Sequence, residues 1–122
     1  MPHITVEYSA NLAIPGDLQR LFTSFHEALA RLDVQIDDCK SRAYRCGDYR
    51  VGQGARERAF VHVTLAALDR RSPAFQREAG ELLLATLQRS FATGDLDCDF
   101  TVEVRPMRTD GYFKARASTD AG

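Results

Sequence analysis

The sequence predicts an α+β fold: two tandem β-α-β units whose four strands share one sheet, with two helices on one face of it. Three observations carry that reading. Four segments alternate apolar and polar residues with period two, the pattern of half-buried strands. Two longer segments repeat apolar residues at intervals of three and four, the pattern of a helix with one buried face. The order strand, helix, strand occurs twice, the second time beginning 56 residues after the first, counted from Pro2 to Arg58. Parallel strands joined by right-handed crossovers are expected within each unit. Two helices over one sheet face then make a two-layer sandwich.

The first strand covers residues 3 to 8, with Ile4, Val6 and Tyr8 on one side and His3, Thr5 and Glu7 on the other. Asn11 to Gly16 is a polar turn containing Pro15-Gly16, and Asp17 is placed to cap a helix. Leu18, Leu21, Phe22, Phe25, Leu29 and Leu32 form that helix's apolar face, with His26 at its boundary as a surface residue. Cys39 to Cys46 alternates again and puts Lys40, Arg42 and Tyr44 on one side. Two cations on one sheet face repel unless something accommodates them. They mark either an anion site or an edge strand that uses charge to discourage aggregation. Gly47 to Glu57 carries three glycines and reads as a loop or a short hairpin.

Ala59 to Leu65 gives the strongest strand signal, with His62 as a structural residue of the sheet. Ser72 is an N-cap and Pro73 sits at the first helical position, where its missing N–H costs nothing. The second helix faces inward through Ala79, Leu82, Leu83, Thr86, Leu87 and Phe91, and Gly94 suits a left-handed C-terminal cap. Cys98 to Val104 is the fourth strand, which Pro106 is expected to stop. In the tail, Tyr112-Phe113 is placed to pin the chain against this or a neighbouring subunit, and the end is expected to be loose.

At 122 residues the chain is expected to form a single domain over 1–122, with a first unit at 1–46, a second at 57–105 and a tail at 106–122. Its 44% hydrophobic and 27% charged residues are ordinary for a soluble protein. A net charge of −1 gives no basic field for nucleic acid, and no apolar run approaches a membrane span. No charged-then-apolar stretch stands before the first strand, so a secretion leader is not expected. Three cysteines, Cys39, Cys46 and Cys98, lack Cys-x-x-Cys spacing, so neither disulfides nor a zinc site is expected and the reducing cytosol is the default. The sheet face away from the helices is expected to carry Phe60, Tyr8 or Val102 as an apolar patch, which a closed oligomer would cover.

The chemistry points to Pro2. Met followed by a small residue is a start from which Met is usually trimmed, and trimming leaves Pro2 as a free secondary amine. Pro is also simply allowed as the first residue of a strand. An ordinary chain-end amine titrates at about 8. An apolar pocket and nearby cations both disfavour its charged form, bringing it toward neutrality, where a general base works best. Lys40, Arg42 and Arg71 are the candidate cations.

Met-Pro-His-x-x-x-Glu-Tyr-Ser-x-Asn at the start, Lys-Ser-Arg-Ala-Tyr in the second strand, Phe-Val-His-Val-Thr-Leu in the third and Arg-Ser before the second helix occur in an order that resembles the 5-carboxymethyl-2-hydroxymuconate isomerase family, within the tautomerase superfamily. The resemblance spans roughly residues 2 to 105. It implies a homotrimer with the sheets around a central barrel, no cofactor, and a role in homoprotocatechuate degradation. It also implies a dicarboxylate or tricarboxylate dienol substrate, converted to an unsaturated ketone. Pro2 matches the family's catalytic proline, and Arg42 and Arg71 match substrate-binding arginines. Lys40 stands where the family usually has Arg, a point charge in place of a planar fork. Tyr112-Phe113-Lys114-Ala115 departs from the Asn and His that relatives tend to carry near the C-terminus. Two other readings stay open: action on another enol or unsaturated acid, and a trimeric binding domain without turnover.

Overall fold

The computed structural model describes residues 1–14 and 16–119. Its elements are β1 (His3–Ser9), α1 (Leu18–Ala30), β2 (Lys40–Cys46), β3 (Arg58–Leu68), α2 (Pro73–Ser90) and β4 (Asp97–Met107), with one-turn helices at Ile36–Asp38 and Thr109–Gly111. Pro15 of the expected Pro15-Gly16 turn, and the tip of the tail at 120–122, lie outside the described residues. The strands form one sheet in the order β2-β1-β3-β4. β1 runs parallel to β2, and β3 parallel to β4. The two units meet antiparallel along β1 and β3. The fold is therefore the duplicated β-α-β sandwich that the alternating and helical periodicities imply.

Period two sets the core. Ile4, Val6 and Tyr8 from β1 and Ala59, Val61, Val63, Leu65 and Ala67 from β3 are buried under the helices. α1 adds Leu21, Phe25, Ala28 and Leu29; α2 adds Phe75, Ala79, Leu83, Thr86 and Leu87. Each large side chain fully withdrawn from water contributes about 1.5–3 kcal/mol. Both helices begin as expected. The Asp17 carboxylate accepts from the Gln19 N–H at 2.9 Å, and the Ser72 hydroxyl oxygen accepts from the Phe75 N–H at 3.1 Å.

Three expectations change. α2 ends at Ser90 because Phe91 turns into extended backbone and buries its ring, 6.1 Å from that of Phe100. Gly94, at φ +58°, sits in the turn to β4 and does not cap the helix. Pro106 does not stop β4, which continues to Met107. The Asp97 N–H donates to Glu57 and the Met107 carbonyl accepts from Asp69, so odd-numbered residues of β4 point their backbone groups at β3. Pro106 thus aims its nitrogen at the open edge, where a missing N–H breaks no ladder bond.

A further change concerns the open face. Tyr8 and Val102 lie on the helix side, with Val102 paired to Val63. The face away from the helices shows the rows Lys40–His3–Ala66–Arg105, Arg42–Thr5–Thr64–Glu103 and Tyr44–Glu7–His62–Thr101, followed by Phe60 beside Asp99. Apart from Phe60, Ala66, the Leu68–Met107 pair at one end and the rim residue Tyr44, it is polar, because the β1 and β3 alternation sends most large apolar residues the other way. His62 has the structural place expected of it, with Nδ1 2.6 Å from Thr101 Oγ1. His26, half-buried on α1, lies 2.7 Å from Ser41 Oγ on the opposite side of the sheet. Residues 47–57 form a turn-rich loop.

Candidate active site

Pro2 lies just before β1 and continues its inward-facing parity, so its ring is buried on the helix side. Its carbonyl accepts from the Lys40 N–H at 3.1 Å, which holds the chain start against the start of β2. Around it close Val34, Ala67, Leu68, Phe75, Arg70 and Arg71, with Met1 completing the cleft. Val34 and Ala67 are 5% and 7% exposed and Phe75 8%, so the walls are apolar. With Met1 in place the cleft encloses about 20 Å³, room for roughly one water molecule.

Arg71 reaches this cleft from the loop between β3 and α2. Its guanidinium carbon lies 4.7 Å over the Phe75 ring, a cation–π contact. Its nitrogens donate weakly to the Leu32 and Asp33 carbonyls, each at 3.5 Å. Those carbonyls are turned toward it because α1 ends through Asp33 at φ +62°, a conformation that Asp tolerates better than most residues.

Lys40, on the open face near the chain terminus, is exposed, with Nζ donating to the Asp38 carbonyl at 3.0 Å. Arg42 is two residues deeper on the open face. Its Nη2 lies 2.8 Å from His3 Nδ1. A guanidinium only donates, so Nδ1 accepts and the His3 proton sits on Nε2, which faces the Tyr112 hydroxyl at 3.0 Å. Within one chain, then, Pro2 and Arg71 share a cleft, Lys40 flanks it, and Arg42 is separated from it by His3.

The electrostatics of the chain end follow from this packing. The terminal amine is pushed below its ordinary 8.0, chiefly by burial, with Lys40 and Lys114 lowering it further and Asp38 opposing them. The Cys39 thiol is raised above its ordinary value, mainly by burial, and so stays neutral beside the terminus. Lys114 was not singled out from the sequence, nor was His3 as Arg42's partner. The first depends on the tail folding back over more than a hundred residues and the second on β1 pairing with β2, 39 residues away, and no local pattern encodes either. Among the described residues no group of three or more His, Cys, Asp and Glu is placed to hold a metal ion, and no helix is long and apolar enough to cross a membrane.

The comparisons with known proteins decide the family. A profile described as 5-carboxymethyl-2-hydroxymuconate isomerase matches residues 2–117. The chain belongs to the 5-carboxymethyl-2-hydroxymuconate isomerase family. The 5-carboxymethyl-2-hydroxymuconate Delta-isomerase of Escherichia coli is 31% identical over 93 residues, covering 75% of this chain and 74% of that one. The crystal structure of a 5-carboxymethyl-2-hydroxymuconate isomerase from Deinococcus radiodurans R1 superposes with a TM-score of 0.85 at 29% identity, covering 95% of this chain and 90% of that one. A structure described as a fused 4-OT wild type symmetric trimer shares the fold, with a TM-score of 0.62, 13% identity and 85% of each chain covered. For this isomerase family member the match starts at Pro2, the residue around which the cleft is built.

Proposed function

We propose that the protein, once Met1 is removed, isomerises 5-carboxymethyl-2-hydroxymuconate or a similar 2-hydroxydienoate, with the Pro2 amine as general base and then acid. The observation that carries this is the cleft itself. Met1 lines it beside Pro2, together with apolar walls, Arg70 and Arg71. While Met1 is attached, the Pro2 nitrogen is an amide and has no basicity. Trimming both frees the amine and opens the space in front of it. The amine's burial then acts in the same direction as at the present terminus, disfavouring the charged form.

In the reaction the neutral amine takes the proton of the substrate's enol hydroxyl. Negative charge spreads over the dienolate, and the protonated amine returns a proton to carbon, completing a 1,3- or 1,5-shift with no net change in atoms. Arg71 and Lys40 hold carboxylates and steady the developing negative charge in a site with little water. Arg42 serves the same anion from the open face, through a neighbouring copy or through His3.

We also propose that three copies close into a ring. β2 carries Lys40, Arg42 and Arg45 and no acid, whereas β4 carries Asp97, Asp99 and Glu103 against Arg105. Both are sheet edges with unpaired backbone groups, and a head-to-tail contact of complementary edges generates a ring when it closes. Sedimentation at three times the 13.6 kDa chain mass is expected, and a monomer at micromolar concentration would remove the ring. Free thiols at all three cysteines accord with a cytosolic setting.

The decisive test pairs intact mass with rate. Protein lacking Met1 is expected to tautomerise the dienol, and protein retaining Met1 to be inactive with an unchanged melting temperature. Full activity in Met1-retaining protein ends the proposal. A second reading, a binding domain without turnover, is favoured by Pro2 being covered as it is; it predicts inactivity even after Met1 is gone.

A further inference from the structure

We infer that Lys114 is a carboxylate-binding residue of the Pro2 cleft, held over it by a tail that is fastened at two points. The inference rests on the isomerase reading and extends it to a residue of the C-terminal tail. The first fastening is at Thr109, whose N–H and hydroxyl donate to the Asp69 carboxylate at 3.2 and 2.6 Å. Asp69 begins the loop that bears Arg70 and Arg71, so the tail is tied to the segment that supplies the cleft's arginine. The second is Tyr112, whose hydroxyl lies 3.0 Å from the Nε2 that His3, directly after Pro2, presents under the hold of Arg42.

Two residues further on, Lys114 Nζ lies 3.3 Å from Met1 Sδ and 3.6 Å from Asp38 Oδ1. A thioether sulfur is a weak acceptor, so the first contact does little to hold the ammonium. The second is a pair of side chains 39% and 36% exposed, of the kind that contributes little in water. The ammonium is therefore free to turn to a better anion. It stands one methionine side chain away from the amine that trimming would expose, and that is the room a substrate would take.

The substrate class needs such a residue. A muconate with a carboxymethyl branch carries three carboxylates. Arg70 and Arg71 line the cleft, Lys40 flanks it, and Arg42 already donates to His3. Lys114 is a further cation at the mouth, on a flexible stem suited to a branch carboxylate. Asp38, its present partner, is the group a substrate carboxylate must displace.

The test compares trimmed wild type with Lys114→Met on the triacid and on 2-hydroxymuconate, which lacks the carboxymethyl branch. For the triacid, KM is expected to rise roughly tenfold with kcat within about twofold, whereas for the diacid both stay within about twofold. Lys114→Arg restores the triacid KM, and Tyr112→Phe raises it in the same direction. An unchanged triacid KM, or equal losses on both substrates, overturns the assignment. Calorimetry with propane-1,2,3-tricarboxylate gives a reading without turnover: Kd roughly tenfold weaker in Lys114→Met supports it and equal Kd rejects it. Trimmed wild type that binds this triacid through Lys114 yet turns nothing over would instead remove the isomerase reading and leave the binding role.

Discussion

The two ends of the sheet are built alike, and only one holds an amine. The Lys40 N–H bonds to the Pro2 carbonyl at 3.1 Å where β1 and β2 start, and the Asp97 N–H bonds to the Glu57 carbonyl at 2.7 Å where β3 and β4 start. Asp17 caps α1 as Ser72 caps α2. At the far end, the start of α1 and the end of α2 enclose a cleft of about 380 Å³ lined by Asp17, Arg20, Ser24, Arg89 and Phe91 among others. That space is far larger than the one beside Pro2 and also has arginines on its wall. The chain, however, runs straight through Glu57, whose nitrogen is an amide. Position in the repeat, room and positive charge are thus common to both ends, while a titratable backbone nitrogen can exist only where the chain begins.

Chemical capping tests this contrast most severely. Acetylation of the trimmed terminus is expected to lower kcat/KM roughly a thousandfold, the usual scale for losing a general base, while Glu57→Ala stays within about twofold. Comparable losses in both would mean that the ends differ in something other than the amine. Removing the aromatic wall at each end comes next. Phe75→Ala and Phe91→Ala should each destabilise by roughly 3 kcal/mol in urea unfolding, as large-to-small core changes do. Only Phe75→Ala should also impair turnover, because Arg71 rests on its ring. Arg71→Ala then isolates the cation. Losing one charge-assisted hydrogen bond is worth about 1.5–3 kcal/mol, so KM should rise roughly ten- to a hundredfold. Arg20→Ala, in the far cleft, should leave steady-state kinetics alone; a matching rise there would show that the far cleft takes substrate.

The repeat was legible because its signals are local. Alternation in Ile4–Tyr8 and Ala59–Leu65, and the caps at Asp17 and Ser72, each depend on neighbours a few residues away. Pro106 was misread because a proline stops a central strand and is harmless on an edge whose ladder faces the other way; that depends on strand order. Tyr8 and Val102 were assigned to the open face although the period-two pattern of Ile4 and Val6 already places Tyr8 beside them. The site divides along the same line. Pro2 and Arg71 are read from motifs, and they do share a cleft. That Arg42 is occupied by His3, and that Lys114 arrives from the tail, follow from contacts 39 and 113 residues apart in sequence, which only the folded chain brings together.

The smallest expected effect concerns His3, which joins the active end to the tail and has no counterpart at Arg58. Its pKa lies below the ordinary 6.5, first because the ring is partly buried and then because Arg42, Lys40 and the chain terminus all disfavour a second positive charge. A depressed folded-state pKa means that the unfolded chain binds the proton more readily. The contribution of neutral His3 is therefore complete above pH 6.5 and is lost as the pH falls below that value toward the folded-state pKa. Protonation would put an N–H on Nδ1 against the Arg42 guanidinium and break that contact, while Nε2 keeps its proton toward Tyr112. His26, also lowered by burial, adds a separate component to the same slope. In urea unfolding between about pH 7.5 and 5.5, wild type should therefore lose stability faster than His3→Asn, which keeps a polar side chain but does not titrate. If the two slopes coincide, His3 is not held neutral between Arg42 and Tyr112.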